Sequence, residues 1–243
     1  ALLPQMADAA DAGMVFPMPV VSLPIVGSSQ RYPVRRIYCV GRNYLEHIRE
    51  LGNDEREAPF FFAKHRDMIV QNGEKVEYPG LTKDYQHELE LVVAMKSGGL
   101  NIPKEQALNH VYGYAVGLDM TRRDLQTISR KKEQPWEIGK SFDSSAPCGA
   151  LRPASEIGHP ATGKIWLSVN GAERQNYPVS DMIFSPAKLV SLISQDMTLE
   201  PGDLIICGTS VGVGVMKEAV NSVIIAIEGI GELHNEFRQP AKA

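Results

Sequence analysis

The sequence predicts an α+β protein built mostly from strands, with a largely antiparallel or mixed sheet that folds back on itself. Apolar and aromatic strand-like runs outnumber helical stretches along the 243 residues. The two kinds of segment do not alternate as they would in a doubly wound parallel sheet. No internal repeat or linker interrupts residues 31–243, so we expect a single domain there, preceded by a loosely ordered arm over residues 1–30.

In the first hundred residues the expected elements are mostly strands. Apolar or aromatic runs predict them, and the glycines and polar turns that follow mark their ends. A helix over residues 44–51, with Gly52-Asn53 as its stop signal, is the exception. The expected strands span residues 20–26, 36–40, 59–64 and 88–95.

Beyond residue 100 the expected strands are interspersed with three helical stretches. Pro186 suits the first position of a helix, and Asn170-Gly171 is typical of a hairpin turn. We expect helices at residues 104–110, 119–132 and 185–195. We expect strands at residues 111–118, 165–169, 204–207 and 223–227, the last being the final strand of the chain.

Composition excludes several classes of protein. The 43% apolar and 22% charged content is that of an ordinary globular chain, and a net charge of −4 favours neither a nucleic acid nor an anionic membrane as partner. Cys39, Cys148 and Cys207 are widely spaced without a C-x-x-C pair, which predicts buried reduced thiols. No basic residue occurs in residues 1–30, and no apolar run approaches a membrane span, so we expect a cytoplasmic protein.

The most informative feature is the pair Glu88 and Glu90 at the start of an apolar strand. Side chains alternate along a strand, so both carboxylates lie on one side, about 7 Å apart. Neighbouring carboxylates near a core repel one another unless a cation lies between them. Oxygen-only ligands favour Mg²⁺, Mn²⁺ or Ca²⁺ over zinc. The alternative is a strand end whose glutamates face water.

Asp119 is a third acidic candidate, at the junction of a strand and a helix. Taken alone, it reads better as a helix N-cap. His47 and Glu50, three residues apart on an expected helix, could form an oriented general base or simply belong to a solvated helix face. Lys140, among small and apolar residues, could offset charge on a substrate oxygen or lie at the surface.

The remaining motifs are weaker. The turn at residues 208–210 could present a hydroxyl and N–H groups to an anion, although a plain turn is the simpler interpretation. The chain contains no P-loop and no Rossmann glycine triplet.

Taken together and in order, these segments resemble the fumarylacetoacetate hydrolase family. The similarity covers roughly residues 35–237. Its matching blocks are Y-C-V-G-R-N-Y at 38–44, P-F-F-F-A-K at 59–64, H-E-L-E-L at 87–91, G-L-D-M-T-R-R-D-L-Q at 117–126, G-K-S-F-D at 139–143, L-E-P-G-D at 199–203, G-T at 208–209 and I-E-G-I-G at 227–231. The late P-G-D turn of the family is replaced here by E-A-V-N at 218–221, and the usual G-T-P reads G-T-S at 208–210.

The resemblance implies a mostly-β mixed sheet rolled into a barrel-like or sandwich-like catalytic domain with peripheral helices. It implies Mg²⁺ or Mn²⁺ held by Glu88, Glu90 and Asp119, with Ca²⁺ a further candidate. It also assigns catalytic roles to His47, Glu50 and Lys140, the first two on a mobile lid, and substrate contacts to Arg42, Lys64, Arg123, Gln126 and Thr209. A homodimer is implied as well.

Within the family, the short chain is most similar to the fumarylpyruvate and maleylpyruvate hydrolases of gentisate breakdown. The expected activity is therefore hydrolysis of the carbon–carbon bond of a 2,4-dioxo acid, giving pyruvate and a carboxylic acid. Alternatives are oxaloacetate decarboxylation, isomerisation or hydration of related dienoic acids, and metal-dependent binding of small oxo acids without turnover. The expected partner is thus a small oxo acid.

Overall fold

The computed structural model describes residues 15–41, 43–44 and 59–239. These residues form eighteen strands: β1 (Ser22–Pro24), β2 (Arg31–Pro33), β3 (Ile37–Gly41), β4 (Phe60–Lys64), β5 (Ile69–Val70), β6 (Lys75–Glu77), β7 (Tyr85–His87), β8 (Leu89–Met95), β9 (Val111–Leu118), β10 (Thr121–Arg122), β11 (Ala146–Pro147), β12 (Arg152–Pro153), β13 (Lys164–Val169), β14 (Ala172–Pro178), β15 (Leu204–Ile206), β16 (Gly214–Val215), β17 (Val220–Ile227) and β18 (Gly231–Arg238).

Helices are fewer and short. The described residues contain α1 (Lys104–Ala107), α2 (Arg123–Lys131), α3 (Glu137–Lys140), α4 (Ala154–Ile157) and α5 (Pro186–Asp196), with 3₁₀ turns at Arg66–Met68, Leu108–His110 and Val179–Asp181. In α5 the hydroxyl of Ser185 accepts a hydrogen bond from the Lys188 N–H, and Pro186 begins the helix as expected. None of the helices in the described part of the chain is long and apolar enough to cross a bilayer.

Two larger sheets dominate the fold. The first has six strands in the order β12-β9-β8-β15-β3-β4, and only β15 and β3 run parallel. The second has five strands in the order β14-β13-β17-β18-β6, with β18 and β6 parallel. Side chains from both sheets form one apolar cluster, so the sheets pack face to face. The α+β prediction is confirmed; none of the described sheets closes into a barrel, and the arrangement is of the sandwich kind.

Strand β8 is buried on both faces, which explains its continuous apolar run. Leu89, Leu91 and Val93 belong to the cluster shared with the five-stranded sheet. Val92 and Ala94, on the other face, belong to a second cluster beneath β1 and β2. Glu88 and Glu90 continue this second face toward the start of the strand, so they enter the protein interior.

Most expected elements are present, with three informative differences. The helix expected from residue 119 begins at Arg123, because residues 121–122 pair with β7. Strand 223–227 is longer than expected and is not the last, since β18 follows it. In β18 polar residues also occupy buried, inward-facing positions, as Asn235 does, and this weakens the apolar pattern of the strand. The helix expected at residues 44–51 lies outside the described residues, apart from Tyr44.

The substituted turn at residues 218–221 is held by one side chain. The Asn221 Nδ2 group donates to the Glu218 carbonyl at 2.8 Å and to the Tyr78 hydroxyl at 3.1 Å. Asn221 is buried, and its carbonyl oxygen accepts from the Glu218 N–H at 3.4 Å. The departure from the family's P-G-D turn therefore leaves a turn that is closed by its own hydrogen bonds.

Candidate metal centre and active site

Antiparallel pairing of β8 and β9 brings three carboxylates together. Leu89 pairs with Leu118, and the Asp119 N–H donates to the Glu88 carbonyl at 2.9 Å, so Asp119 lies directly across from Glu88. One ligand atom from each of Glu88, Glu90 and Asp119 lies within 4.8 Å of those of the other two. All three residues are at most 4% exposed. The solvent-facing alternative for the glutamates is therefore wrong.

The interpretation of Asp119 as a helix cap is also wrong. Helix α2 begins four residues later, its N-cap is Arg122, and no side chain caps it. The Asp119 carboxylate instead lies 2.8 Å from the Lys140 ammonium and 2.9 Å from that of Lys64. Its location after β9 is what aims it at the pair on β8.

Three cationic side chains surround the carboxylates. Lys140 is 3% exposed, so the surface alternative is wrong, and its ammonium donates to Glu88 at 2.6 Å and to Asp119 at 2.8 Å. Lys64 is equally buried and also donates to the carbonyls of Met120 and Lys140. Arg123 donates to the other oxygen of Glu88.

Burial and neighbouring charges shift the pKa values of Glu90 and Lys140. Burial raises the pKa of Glu90 well above its usual value, and the charges of Asp119 and Glu88 raise it further. The Lys140 charge and the hydrogen bond from the Gly208 N–H oppose this rise without cancelling it. Burial alone would lower the pKa of Lys140, but the charges of Asp119 and Glu88 outweigh burial, so the net shift is upward.

These residues fit a divalent metal ion. The donor atoms are carboxylate oxygens, which Mg²⁺, Mn²⁺ and Ca²⁺ prefer. Burial first, and the charges of Asp119 and Glu88 second, raise the pKa of Glu90, so its ionised form is unfavourable in this cluster. A cation held by Glu88, Glu90 and Asp119, whose ligand atoms lie within 4.8 Å of one another, would favour that ionised form. The cofactor expected from the sequence thus agrees with the chemistry of the site.

Close packing of two short helices delivers Lys140 to the carboxylates. Lys140 ends α3, and a Cβ atom at the preceding Gly139 would lie 2.6 Å from the backbone nitrogen of Gln126 on α2. Only glycine permits this approach. It sets Lys140 beside the first turn of α2, which carries Arg123 and Gln126.

Arg123 and Gln126 form one unit with the carboxylates. The Arg123 guanidinium donates to Gln86 at 2.9 Å and to the Gln126 Oε1 at 2.6 Å, besides Glu88. Because Arg123 engages the amide oxygen of Gln126, the Gln126 Nε2 group is the end that can donate to a ligand.

The turn at residues 208–210 borders the carboxylates. Gly208 has a φ of +92°, and its N–H donates to Glu90. A side chain there would also meet the Asn43 Cβ at 2.8 Å. The Thr209 hydroxyl accepts a hydrogen bond from the Gln175 Nε2 at 2.9 Å. The turn therefore contributes an N–H group to a carboxylate of the protein itself.

The structure thus brings Lys64, Arg123, Gln126, Lys140 and Thr209 around or next to the three carboxylates. Their roles toward a substrate stay predictions. Arg42, His47 and Glu50 lie outside the described residues, so the predicted base and one predicted substrate contact are not located.

Comparisons with known proteins agree with the geometry. A sequence model of the fumarylacetoacetate (FAA) hydrolase C-terminal family matches residues 36–238. Among curated relatives, the mitochondrial oxaloacetate tautomerase FAHD1 of Homo sapiens is 42% identical over 206 residues, covering 85% of this chain and 93% of the relative. The Bos taurus protein of the same name is 39% identical over 206 residues, again covering 85% of this chain and 93% of the relative.

Two solved structures are similar over almost the whole chain. The fumarylpyruvate hydrolase from Pseudomonas aeruginosa, solved with Mn²⁺ and pyruvate, is 50% identical with a TM-score of 0.90, covering 93% of this chain and 99% of that one. A Burkholderia cenocepacia protein assigned as a fumarylpyruvate hydrolase is 44% identical with a TM-score of 0.85. The match covers 95% of this chain and 99% of that one.

Proposed function

Because this chain belongs to the fumarylacetoacetate hydrolase family, we propose that it is a divalent-metal-dependent hydrolase of 2,4-dioxo acids such as fumarylpyruvate. The observation that carries the proposal is the buried set Glu88, Glu90 and Asp119 with Lys140 beside it. It is supported by 50% identity to a fumarylpyruvate hydrolase solved with Mn²⁺ and pyruvate.

The proposed reaction adds water across one carbon–carbon bond. The water oxygen bonds to the C4 carbonyl carbon, the C3–C4 bond breaks, and its electron pair leaves on the pyruvate fragment, which takes a proton at C3. The products are pyruvate and a carboxylic acid. A divalent cation bound by the three carboxylates would supply Lewis acidity toward the oxo-acid end of the substrate.

The protein groups divide the remaining work. Lys140, held by Glu88 and Asp119, places a positive charge where the substrate oxygen becomes more negative. Gln126, oriented by Arg123, directs an N–H donor at a carboxylate or carbonyl oxygen of the substrate. In this proposal His47, oriented by Glu50, takes the proton from the attacking water.

The first test uses metal-stripped protein with fumarylpyruvate, maleylpyruvate, other acylpyruvates and oxaloacetate. Loss of the ultraviolet absorption of the dioxo group is followed with and without Mg²⁺ or Mn²⁺, and pyruvate is measured separately. We expect metal-dependent release of one pyruvate for each acylpyruvate consumed. Failure to release pyruvate from every acylpyruvate would contradict the proposal.

A second candidate is oxaloacetate tautomerisation, which the names of the curated relatives favour. It would change the enol absorption of oxaloacetate without releasing pyruvate. Decarboxylation of oxaloacetate, by contrast, releases pyruvate and consumes no water. The same assay therefore separates all three activities.

Substitution of His47 tests the proposed water activation. His47→Ala should retain Mn²⁺ binding and lose hydrolysis by about 10²–10⁴-fold, the usual contribution of a general base. Decarboxylation of oxaloacetate should be affected much less, because no water must be deprotonated. Full hydrolysis by this variant would contradict the role of His47.

A further inference from the structure

Leu89 lies between Glu88 and Glu90, and on one side its backbone pairs with none of the strands in the described part of the chain. Its N–H and C=O groups point away from β9, since the neighbouring Glu88 carbonyl is the one that accepts from Asp119. On that other side β15 pairs with β8 only as far as Val92, and the last backbone bond runs from the Cys207 N–H to the Leu91 carbonyl at 2.9 Å. The chain then turns away at Gly208.

On this side, two side chains of β14 bond to the Leu89 backbone. The Leu89 N–H donates to the Gln175 Oε1 at 3.0 Å, and the Tyr177 hydroxyl donates to the Leu89 carbonyl at 2.6 Å. Gln175 and Tyr177 are two residues apart, so they project from the same face of β14. Both are buried, at 2% and 5% exposed. Together they form the two hydrogen bonds that a neighbouring strand would otherwise form.

Gln175 also holds the turn that follows Gly208. Its Nε2 group donates to the Thr209 hydroxyl at 2.9 Å and lies 3.2 Å from the Val211 carbonyl. The backbone partners determine the amide orientation, because Leu89 N–H requires an oxygen and the Val211 carbonyl requires an N–H. One buried side chain thus connects the strand of the glutamates to the turn that carries Thr209 and the Gly208 N–H.

We propose that Gln175 and Tyr177, here called the Leu89 clamp, are positioning residues that hold Glu88 and Glu90 at the spacing a divalent metal requires and keep Thr209 beside it. The inference rests on the proposed metal role of the two glutamates. Neither clamp residue lies in any of the motif blocks that carry the family resemblance.

The chain offers a matched control on the same strand. The Tyr32 hydroxyl donates to the Met95 carbonyl at 2.7 Å, a buried tyrosine bond to the opposite end of β8. Met95 lies five residues beyond Glu90, roughly 17 Å along the strand. Tyr177→Phe and Tyr32→Phe each remove one hydroxyl and one bond to β8, and only the former acts beside the carboxylates.

The experiment measures Mn²⁺ binding by calorimetry and melting temperature by circular dichroism for the unsubstituted chain and both variants. We expect both variants to lose similar thermal stability. Tyr177→Phe should raise the Mn²⁺ dissociation constant about 10–100-fold, the usual cost of losing a group that orients metal ligands. Tyr32→Phe should leave that constant unchanged.

Gln175→Met adds a readout on the turn. It should raise both the Mn²⁺ dissociation constant and the KM for the acylpyruvate, with a smaller change in kcat. Equal Mn²⁺ binding by Tyr177→Phe and Tyr32→Phe would overturn the clamp while leaving the proposed function intact. Failure of the unsubstituted chain to bind Mn²⁺ would instead overturn the proposed function and the clamp with it.

Discussion

The two large sheets differ in how many of their faces are buried. In the six-stranded sheet every residue of β8 is buried, on both faces. In the five-stranded sheet β17 alternates buried and more exposed residues, so only one face is covered. A charge placed in the doubly covered sheet is shielded from water and interacts strongly with its neighbours. This is where the three carboxylates lie, whereas the one-sided sheet supplies the neutral clamp residues.

Removal of one buried charge should give the largest effect. Glu90→Gln keeps an oxygen for the Gly208 N–H and removes a carboxylate whose pKa is raised by burial and by Asp119 and Glu88. A raised carboxyl pKa means that the charged form destabilises the folded state above the ordinary pKa of the group. At pH 7 the metal-free variant should therefore melt higher, by about 2–4 °C for each kcal/mol relieved.

The Glu90→Gln variant should lose more than ~100-fold in Mn²⁺ affinity, because ~100-fold is the upper cost of losing a group that only orients a metal ligand. Calorimetry and melting in the presence of a chelator measure the two effects. Glu232→Gln, at an exposed position of β18, is the control and should change neither quantity. Unchanged Mn²⁺ affinity in Glu90→Gln would exclude Glu90 as a ligand.

Alanine substitutions at adjacent strand residues should lower the free energy of unfolding in a different pattern in each of the two sheets. Val92 and Val93 are both at most 1% exposed, so Val92→Ala and Val93→Ala should each cost about 2–3 kcal/mol. In β17, Ile225 is fully buried and Ile224 is only partly buried. Ile225→Ala should cost about 2–5 kcal/mol, and Ile224→Ala half of that or less.

Urea unfolding measures these four free energies. Equal losses for Ile224→Ala and Ile225→Ala would show that the outer face of the five-stranded sheet is also covered in solution. A small loss for either valine variant would contradict the double burial of β8.

The smallest effect is expected at the hairpin between β13 and β14. Asn170 has a φ of +52°, and its side-chain oxygen accepts from the Ser222 N–H at 2.7 Å. Asn170→Ala should cost about 1–2 kcal/mol, because alanine is strained at positive φ and the hydrogen bond is lost. Asn170→Gly should recover the part that is due to strain. Urea midpoints distinguish these contributions, and Mn²⁺ binding should not change in either variant.

Much of the fold was predictable where local and tertiary preferences agree. Strand 111–118 matches the expectation because its run of apolar residues is a local signal. The start of α5 matches because Pro186 after the N-cap residue Ser185 is also a local signal. Strand β18 was missed because Asn235 occupies a buried position, where its amide donates to the carbonyls of Gln71 and Glu74. The cytoplasmic location and the homodimer stay predictions.

The acidic residues of the site were predictable from the sequence, whereas the clamp residues that support their strand were not. Glu88, Glu90 and Asp119 are recognisable in the sequence because acidic residues adjoin apolar strands and the family blocks contain all three. Gln175 and Tyr177 were missed, although a glutamine at an inward position of a hairpin strand is a usable signal. That signal depends on knowing the register of β14.

The sequence by itself determined the strand-rich class, the apolar run of β8 and the oxygen-ligand chemistry of the acidic residues, because these depend on residue type and on a period of two. Only the tertiary structure decided that Asp119 faces Glu88, that Lys140 is buried between them, and that Gln175 replaces a strand at Leu89. Each of these contacts joins residues 21 to 86 positions apart. Pairing across such separations depends on sheet register and helix packing, which no local pattern encodes.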